Sequence, residues 1–133
     1  MPSKLRIFET ILYADDLVAA ETFYREVLGL KTLQTRELFI TLQCDPGYLL
    51  IFDRRKSEQE GRPVPSHGAT GPGLIAFAVE AADLDGWREH LKSSNVPIED
   101  EVDWETGGRS IYFRDPAGNS LELAPPELWK PGA

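Results

Sequence analysis

The chain consists of two similar halves, and this internal repeat limits the folds that it can adopt. Each half has the pattern of a strand, a helix and three further strands. The first helix opens with DDL and the second with ADL, and the last hairpin of each half turns on DPG or DPAG. A repeat of about 50–65 residues indicates the architecture of a whole fold. It predicts an α+β protein made of two βαβββ modules, whose paired curved sheets form a concave cleft.

Alternation of apolar and polar residues, together with turn residues, places the elements of each half. In the first half we expect a helix at 16–29 and strands at 5–14, 31–35, 37–43 and 48–53. In the second half we expect a helix at 83–96 and strands at 74–80, 97–102, 109–114 and 120–124.

The segment between the halves is charged and then rich in proline and glycine, so it reads as a linker or an irregular crossover. A chain of 133 residues fits a single domain. The expected organisation is module one at about 4–54, a linker at about 55–72, module two at about 73–126 and a C-terminal tail at 127–133.

Composition narrows the classes of function. The formal net charge of −8 argues against nucleic-acid binding, which needs a basic face. No apolar run approaches the roughly 20 residues of a membrane span, and the N-terminal residues lack the apolar stretch of a signal peptide. We therefore expect a cytoplasmic protein that binds neither nucleic acid nor membrane. Cys44 is the single cysteine, so no internal disulfide can form.

A glutamate lies inside the last predicted strand. Glu122 stands between Leu121 and Leu123, and strand alternation sends it to the face opposite the two leucines. The strand pattern alone does not explain why a carboxylate stands at this half-buried position.

Three segments resemble a known superfamily. They are LYADDLVAAETFYREVLGL, GPGLIAFAVEAADLDGWREHL and SIYFRDPAGNSLEL, in this order along the chain. They resemble the vicinal oxygen chelate superfamily, which includes glyoxalase I, bleomycin-resistance proteins and extradiol dioxygenases. The resemblance implies paired βαβββ modules, usually completed by a homodimer, and a small-molecule ligand. In enzymatic members it also implies a divalent metal in the cleft, held by one residue from the first strand and one from the last strand of each module.

Carried onto this chain, those ligand positions fall on Glu9, Ile51, Leu74 and Glu122. Glu9 and Glu122 are acceptable metal ligands, whereas Leu74 and Ile51 can only contact a substrate. Zinc normally takes three protein ligands, and magnesium tolerates one or two carboxylates with waters. The expected cofactor is therefore zinc, nickel, magnesium or manganese, or none, and loop residue His67 is a third ligand candidate.

Other residues near the expected cleft could contact a substrate. Arg109 could pair with a carboxylate or phosphate, Trp104 could stack, and Tyr13 could donate a hydrogen bond. The alternatives are a solvated arginine, a tryptophan that covers the core edge or a dimer interface, and a core tyrosine. Arginines such as Arg109 could also hold Glu9 and Glu122 in a purely structural role.

Three functions fit these observations. The first is a glyoxalase I-like lyase or isomerase, in which Glu122 or Glu9 moves a proton with help from a metal. The second is a metal-free protein that sequesters a small molecule, as bleomycin-resistance proteins do. The third is a metal-free member that takes a metabolite. Extradiol ring cleavage is the least favoured, because the chain lacks its triad of two histidines and a carboxylate.

Overall fold

The computed structural model describes residues 2–130, and backbone contacts divide the chain into two units, Met1–Gly71 and Pro72–Ala133. Unit 1 contains β1 (Glu9–Ala14), α1 (Leu17–Glu26), β2 (Lys31–Thr35), β3 (Phe39–Cys44), β4 (Gly47–Asp53) and α2 (Arg54–Glu58). Unit 2 contains β5 (Leu74–Ala78), a short 3-10 turn (Ala81–Asp83), α3 (Leu84–Ser93), β6 (Asp100–Asp103), β7 (Arg109–Arg114) and β8 (Ser120–Ala124).

In unit 1 the helix α1 packs against a four-stranded mixed sheet. The strand order is β1-β4-β3-β2, with β1 parallel to β4 and the other pairs antiparallel. Asp16 caps α1 by accepting a hydrogen bond from the amide of Ala19 at 3.0 Å. The helix buries Ala20 and Tyr24, and it contacts β2, β3 and β4. The buried side chains of the sheet alternate along its strands and form the core. They include Leu12, Ala14, Ile40, Leu42, Leu49 and Ile51.

Unit 2 repeats this arrangement. Its strand order is β5-β8-β7-β6, with β5 parallel to β8. Its core consists of apolar side chains of β7, β8 and α3 that are almost inaccessible to solvent. They are Leu91, Ile111, Phe113, Leu121 and Leu123.

A buried turn ties β8 to the start of β5. Asp115 Oδ1 accepts hydrogen bonds from the amides of Ala117 and Asn119, and Asn119 Oδ1 accepts one from the amide of Gly73 at 2.8 Å. Asn119 is 1% exposed, so these bonds lie away from water. They hold Gly73 at the entrance to β5, which keeps Leu74 opposite Ser120 and sets the register of the site-bearing strands.

The expected α+β class is confirmed, and the last two strands lie at the predicted positions. The prediction that residues after Asp53 form no element is wrong, because Asp53 accepts hydrogen bonds from the amides of Arg55 and Lys56 and caps α2. The first strand begins at Glu9 rather than at residue 5, and the strand predicted at 97–102 begins only at Asp100. No helix of the described residues is long and apolar enough to cross a membrane.

Candidate functional site

The register of unit 2 places Glu122 at the centre of one sheet face. Glu122 is directly opposite Ala76 on β5 and Tyr112 on β7. Residues directly opposite one another in a sheet share a face, so the three side chains are neighbours. Leu74 lies on this face as well, two residues before Ala76, and it is 61% exposed. The expectation that Leu74 and Glu122 occupy the same side of one sheet agrees with this register.

The carboxylate of Glu122 is buried and held by neutral hydrogen-bond donors. Only 8% of Glu122 is exposed. Ser110 Oγ donates to Glu122 Oε2 at 2.7 Å, and Trp104 Nε1 donates to Ser110 Oγ at 2.8 Å. The Tyr112 side chain, directly opposite in the sheet, also interacts electrostatically with this carboxylate. No ion pair within residues 2–130 involves Glu122.

The Glu122 carboxylate helps to raise the pKa of the Tyr112 phenol. Burial raises the pKa of the Tyr112 phenol, and its interaction with the Glu122 carboxylate raises it further. The phenol therefore stays protonated at neutral pH and can donate to the carboxylate. Glu122 is consequently a buried carboxylate stabilised by hydroxyl groups rather than by a cation.

The Gly107–Gly108 loop positions Trp104 for this chain of hydrogen bonds. Gly107 and Gly108 have φ angles of 98° and 87°, which side-chain-bearing residues rarely adopt. A Cβ on Gly108 would also lie 2.8 Å from the ring of Pro125. The amide of Trp104 donates to the Gly108 carbonyl at 3.0 Å. The loop thus turns back tightly and brings the indole beside Ser110.

Arg109 belongs to a surface ion-pair network and not to the Glu122 cluster. Its Nε lies 2.7 Å from Asp103 Oδ1, and its Nη1 lies 3.5 Å from Glu101 Oε1. The hydrogen bond from Arg109 holds the pKa of Asp103 below its usual value. Arg88 of α3 pairs with the same Glu101. The suggestion that Arg109 holds Glu122 is therefore wrong, because its guanidinium is engaged by Asp103 and Glu101.

The other predicted residues lie in unit 1. Glu9 is exposed at the start of β1, and Tyr13 lies on the same face at the end of that strand. The Tyr13 hydroxyl is 2.7 Å from His67 Nδ1. The His67 ring also packs edge-on against Phe52, with ring centroids 4.6 Å apart. The loop histidine is thus held on the sheet.

The expected placement of Ile51 beside Glu9 is wrong. Ile51 is directly opposite Leu12, it is completely buried, and it belongs to the core face of the sheet. Leu50 is the residue directly opposite Ile11, on the face that carries Glu9. The β1–β4 and β5–β8 registers correspond, so Leu50 occupies the position in unit 1 that Glu122 occupies in unit 2.

The donor atoms at the four implied ligand positions do not fit a transition-metal site. Unit 1 supplies Glu9 and Leu50, and unit 2 supplies Leu74 and Glu122. Each unit therefore contributes one oxygen donor and one side chain that cannot coordinate, whereas a catalytic zinc site normally has three protein ligands. Across the described part of the chain, no three His, Cys, Asp or Glu side chains form a group that could hold a metal ion.

Sequence reasoning missed Ser110 and Tyr112. Both lie on β7, where their side chains alternate with those of Ile111 and Phe113. They therefore lie on the sheet face that carries Glu122. That alternation is visible in the sequence, but which strand pairs with β8, and in which register, is not.

Comparison with known proteins agrees with this architecture. The sequence pattern of the Glyoxalase/Bleomycin resistance protein/Dioxygenase superfamily matches residues 6–123. The chain is 39% identical to a lactoylglutathione lyase from Agrobacterium tumefaciens, with a TM-score of 0.91 over 98% of this chain and 99% of that one.

The chain is also similar in sequence to a metallothiol transferase and similar in fold to a fosfomycin resistance protein. The chain is 30% identical to metallothiol transferase FosB of Bacillus licheniformis, over 90% of this chain and 74% of that protein. The fosfomycin resistance protein FosX of Listeria monocytogenes, solved with Mn(II) and sulfate, shares the fold at 21% identity and a TM-score of 0.68, over 94% and 91% of the two chains. The resemblance drawn from the sequence is confirmed, and the chain belongs to the Glyoxalase/Bleomycin resistance protein/Dioxygenase superfamily.

Proposed function

We propose that the protein is an enzyme of the lyase or isomerase class that moves a proton on a small carbonyl compound, with Glu122 as the group that takes the proton. The observation that carries the proposal is the burial of Glu122 among neutral donors. A buried carboxylate without a cationic partner is costly to keep, so its presence on a core strand favours a chemical role.

The hydrogen bonds of Glu122 leave it able to act as a base. A carboxylate has about four lone-pair positions, and the Ser110 hydroxyl and the neighbouring Tyr112 phenol occupy only part of that capacity. They fix the orientation of the carboxylate on a rigid strand, which favours catalysis by positioning. Ala76 is the opposite residue on β5, and its small side chain leaves space beside the carboxylate.

The relatives suggest the type of substrate. The name lactoylglutathione lyase describes a protein that acts on a thioester with a C–H bond next to its carbonyl group. Such a C–H bond is weakly acidic, and a positioned general base typically accelerates its loss by about 10²–10⁴-fold. A substrate of this kind suits a single buried carboxylate. The present ligand positions give no support to a step through a resident metal, so we assign none.

The first test is hydrogen exchange on lactoylglutathione in heavy water. Wild-type protein should replace the lactoyl C–H with deuterium, and Glu122→Gln should slow this exchange by about 10²–10⁴-fold because the amide cannot accept the proton. Proton NMR of the substrate measures the rate. Glu127→Gln, which removes a carboxylate from the exposed tail, is the matched control and should exchange at the wild-type rate.

Two outcomes would contradict the proposal. Equal exchange rates for wild type and Glu122→Gln would remove Glu122 from the chemistry. Binding of lactoylglutathione by wild type without any exchange would favour the sequestration function instead.

We also propose that the protein is a homodimer. Leu5, Ile7 and Phe8 precede β1 and are 96%, 80% and 70% exposed, and the neighbouring strand β1 is an edge of its sheet. Apolar side chains next to an unpaired edge favour association with a second copy.

Sedimentation equilibrium tests the dimer. Wild type should sediment at twice the chain mass at micromolar concentration, and the double variant Leu5→Glu/Ile7→Glu should shift toward the monomer, because a dimer interface would have to bury the new charges. As a control, Val64→Glu changes an exposed apolar residue of the crossover and should leave the mass unchanged. A wild-type protein that sediments as a monomer would contradict the dimer proposal.

Leu74 is the residue that we propose keeps unit 2 from binding a transition metal. Leu74→His should place an imidazole on the strand next to Glu122 and raise Ni²⁺ affinity by at least roughly tenfold, about 1.4 kcal/mol. Titration calorimetry compares the two proteins. The double variant Leu74→His/Glu122→Gln should lose most of the gain. A gain that survives in the double variant would mean that the histidine binds nickel without Glu122.

A further inference from the structure

We propose that His67, oriented by Tyr13, is a hydrogen-bond donor site on the sheet of unit 1 for the carbonyl oxygen of a small molecule with an apolar body. This inference does not rest on the proposed role of Glu122, because it is argued from other residues, all of them in unit 1.

The crossover holds His67 in place from both directions along the chain. The amide of His67 donates to the Ser57 carbonyl at 2.9 Å, and Arg62 Nη2 donates to the same carbonyl at 2.6 Å. Two residues beyond His67, the Ala69 carbonyl accepts a hydrogen bond from Arg54 Nη1 at 2.8 Å. The segment is therefore fastened to α2, and the imidazole has a defined position.

The imidazole itself is fixed at one nitrogen and one ring face. Tyr13 Oη is 2.7 Å from Nδ1, and the ring meets Phe52 at an interplanar angle of 82°. Phe52 stacks in turn on Phe39, with centroids 5.0 Å apart. The histidine is thus set at the edge of an aromatic cluster on the sheet.

The bond to Tyr13 selects the tautomer. Burial raises the pKa of the Tyr13 phenol, and the negative charge of Glu58 raises it further, so the phenol keeps its hydrogen. We infer that the phenol donates this hydrogen to Nδ1, which makes that nitrogen the acceptor. In a neutral imidazole the other nitrogen then carries the hydrogen, so His67 presents Nε2–H.

Nε2–H is available for a ligand. The hydrogen bonds recorded for residues 2–130 give His67 a side-chain partner at Nδ1 and none at Nε2, and the ring is half-buried. A neutral N–H donor needs an acceptor oxygen. The charge of Glu58 acts on Tyr13, and the guanidiniums of Arg54 and Arg62 donate to backbone carbonyls of the same segment, so charges of both signs lie nearby. The acceptor that fits is the oxygen of a neutral carbonyl group.

The tautomer can be measured directly by ¹⁵N NMR of the imidazole. In the neutral imidazole, wild-type His67 should show a protonated Nε2 and an unprotonated Nδ1. Tyr13→Phe should give a mixture of tautomers, because the selecting hydrogen bond is gone. A protonated Nδ1 in wild type would overturn the proposal, since Nε2 would then be an acceptor.

Binding can be tested with acetophenone, and α-methylstyrene is the control that has the same shape without the acceptor oxygen. Acetophenone should shift the His67 ring signals and bind about fivefold more tightly than α-methylstyrene, as one neutral hydrogen bond allows. His67→Gln, whose amide N–H can stand in for Nε2–H, should keep most of this preference. His67→Asn, whose shorter amide cannot reach that position, should lose it.

Two results would reject the site. One is equal affinity of wild type for the two probes, and the other is loss of the preference in His67→Gln and His67→Asn alike. Because both variants remove the ring contact with Phe52, any general effect on folding should appear equally in both.

Discussion

The hydrogen bond from Ser110 Oγ to Glu122 Oε2 is the interaction on which the site of unit 2 depends. A carboxylate on a strand whose neighbours Leu121 and Leu123 lie in the core must be satisfied by donors from the adjacent strand. Ser110 supplies one donor, and Trp104 in turn orients Ser110. The glycine loop before β7 and the register between β7 and β8 both serve to place these donors. Without them, the burial of a charge at this position would not be sustainable.

The two units show how a repeated fold can diverge in chemistry. Glu9 in unit 1 corresponds by register to Leu74 in unit 2, and Leu50 corresponds to Glu122. Each unit therefore retains one carboxylate, but on a different strand. Glu9 is exposed, whereas Glu122 is buried and hydrogen-bonded, so the environments of the two carboxylates differ as much as their positions. Our proposal that Glu122 takes the proton rests on this second environment.

Much of the fold could be predicted from the sequence, because the repeat and the strand alternation are strong local signals. The face of Glu122 followed from its apolar neighbours alone. Aligning the DPG and DPAG turns at Gly47 and Gly118 predicts that Ile51 corresponds to Glu122, which is wrong by one residue, because Gly47 is the first residue of β4 whereas Gly118 lies in the turn before β8. A shift of one residue in a strand reverses the face of every side chain. The contact between Tyr13 and His67 joins residues 54 positions apart, and no local pattern could reveal it.

We propose above all that Glu122 works with its neutral donors and without a resident metal. Elemental analysis of protein purified without chelators, combined with the exchange rate before and after chelation, tests that claim most directly. The account predicts much less than one equivalent of transition metal per chain and an exchange rate unaffected by the chelator. One equivalent of metal per chain, whose removal abolishes exchange and whose return restores it, would contradict it.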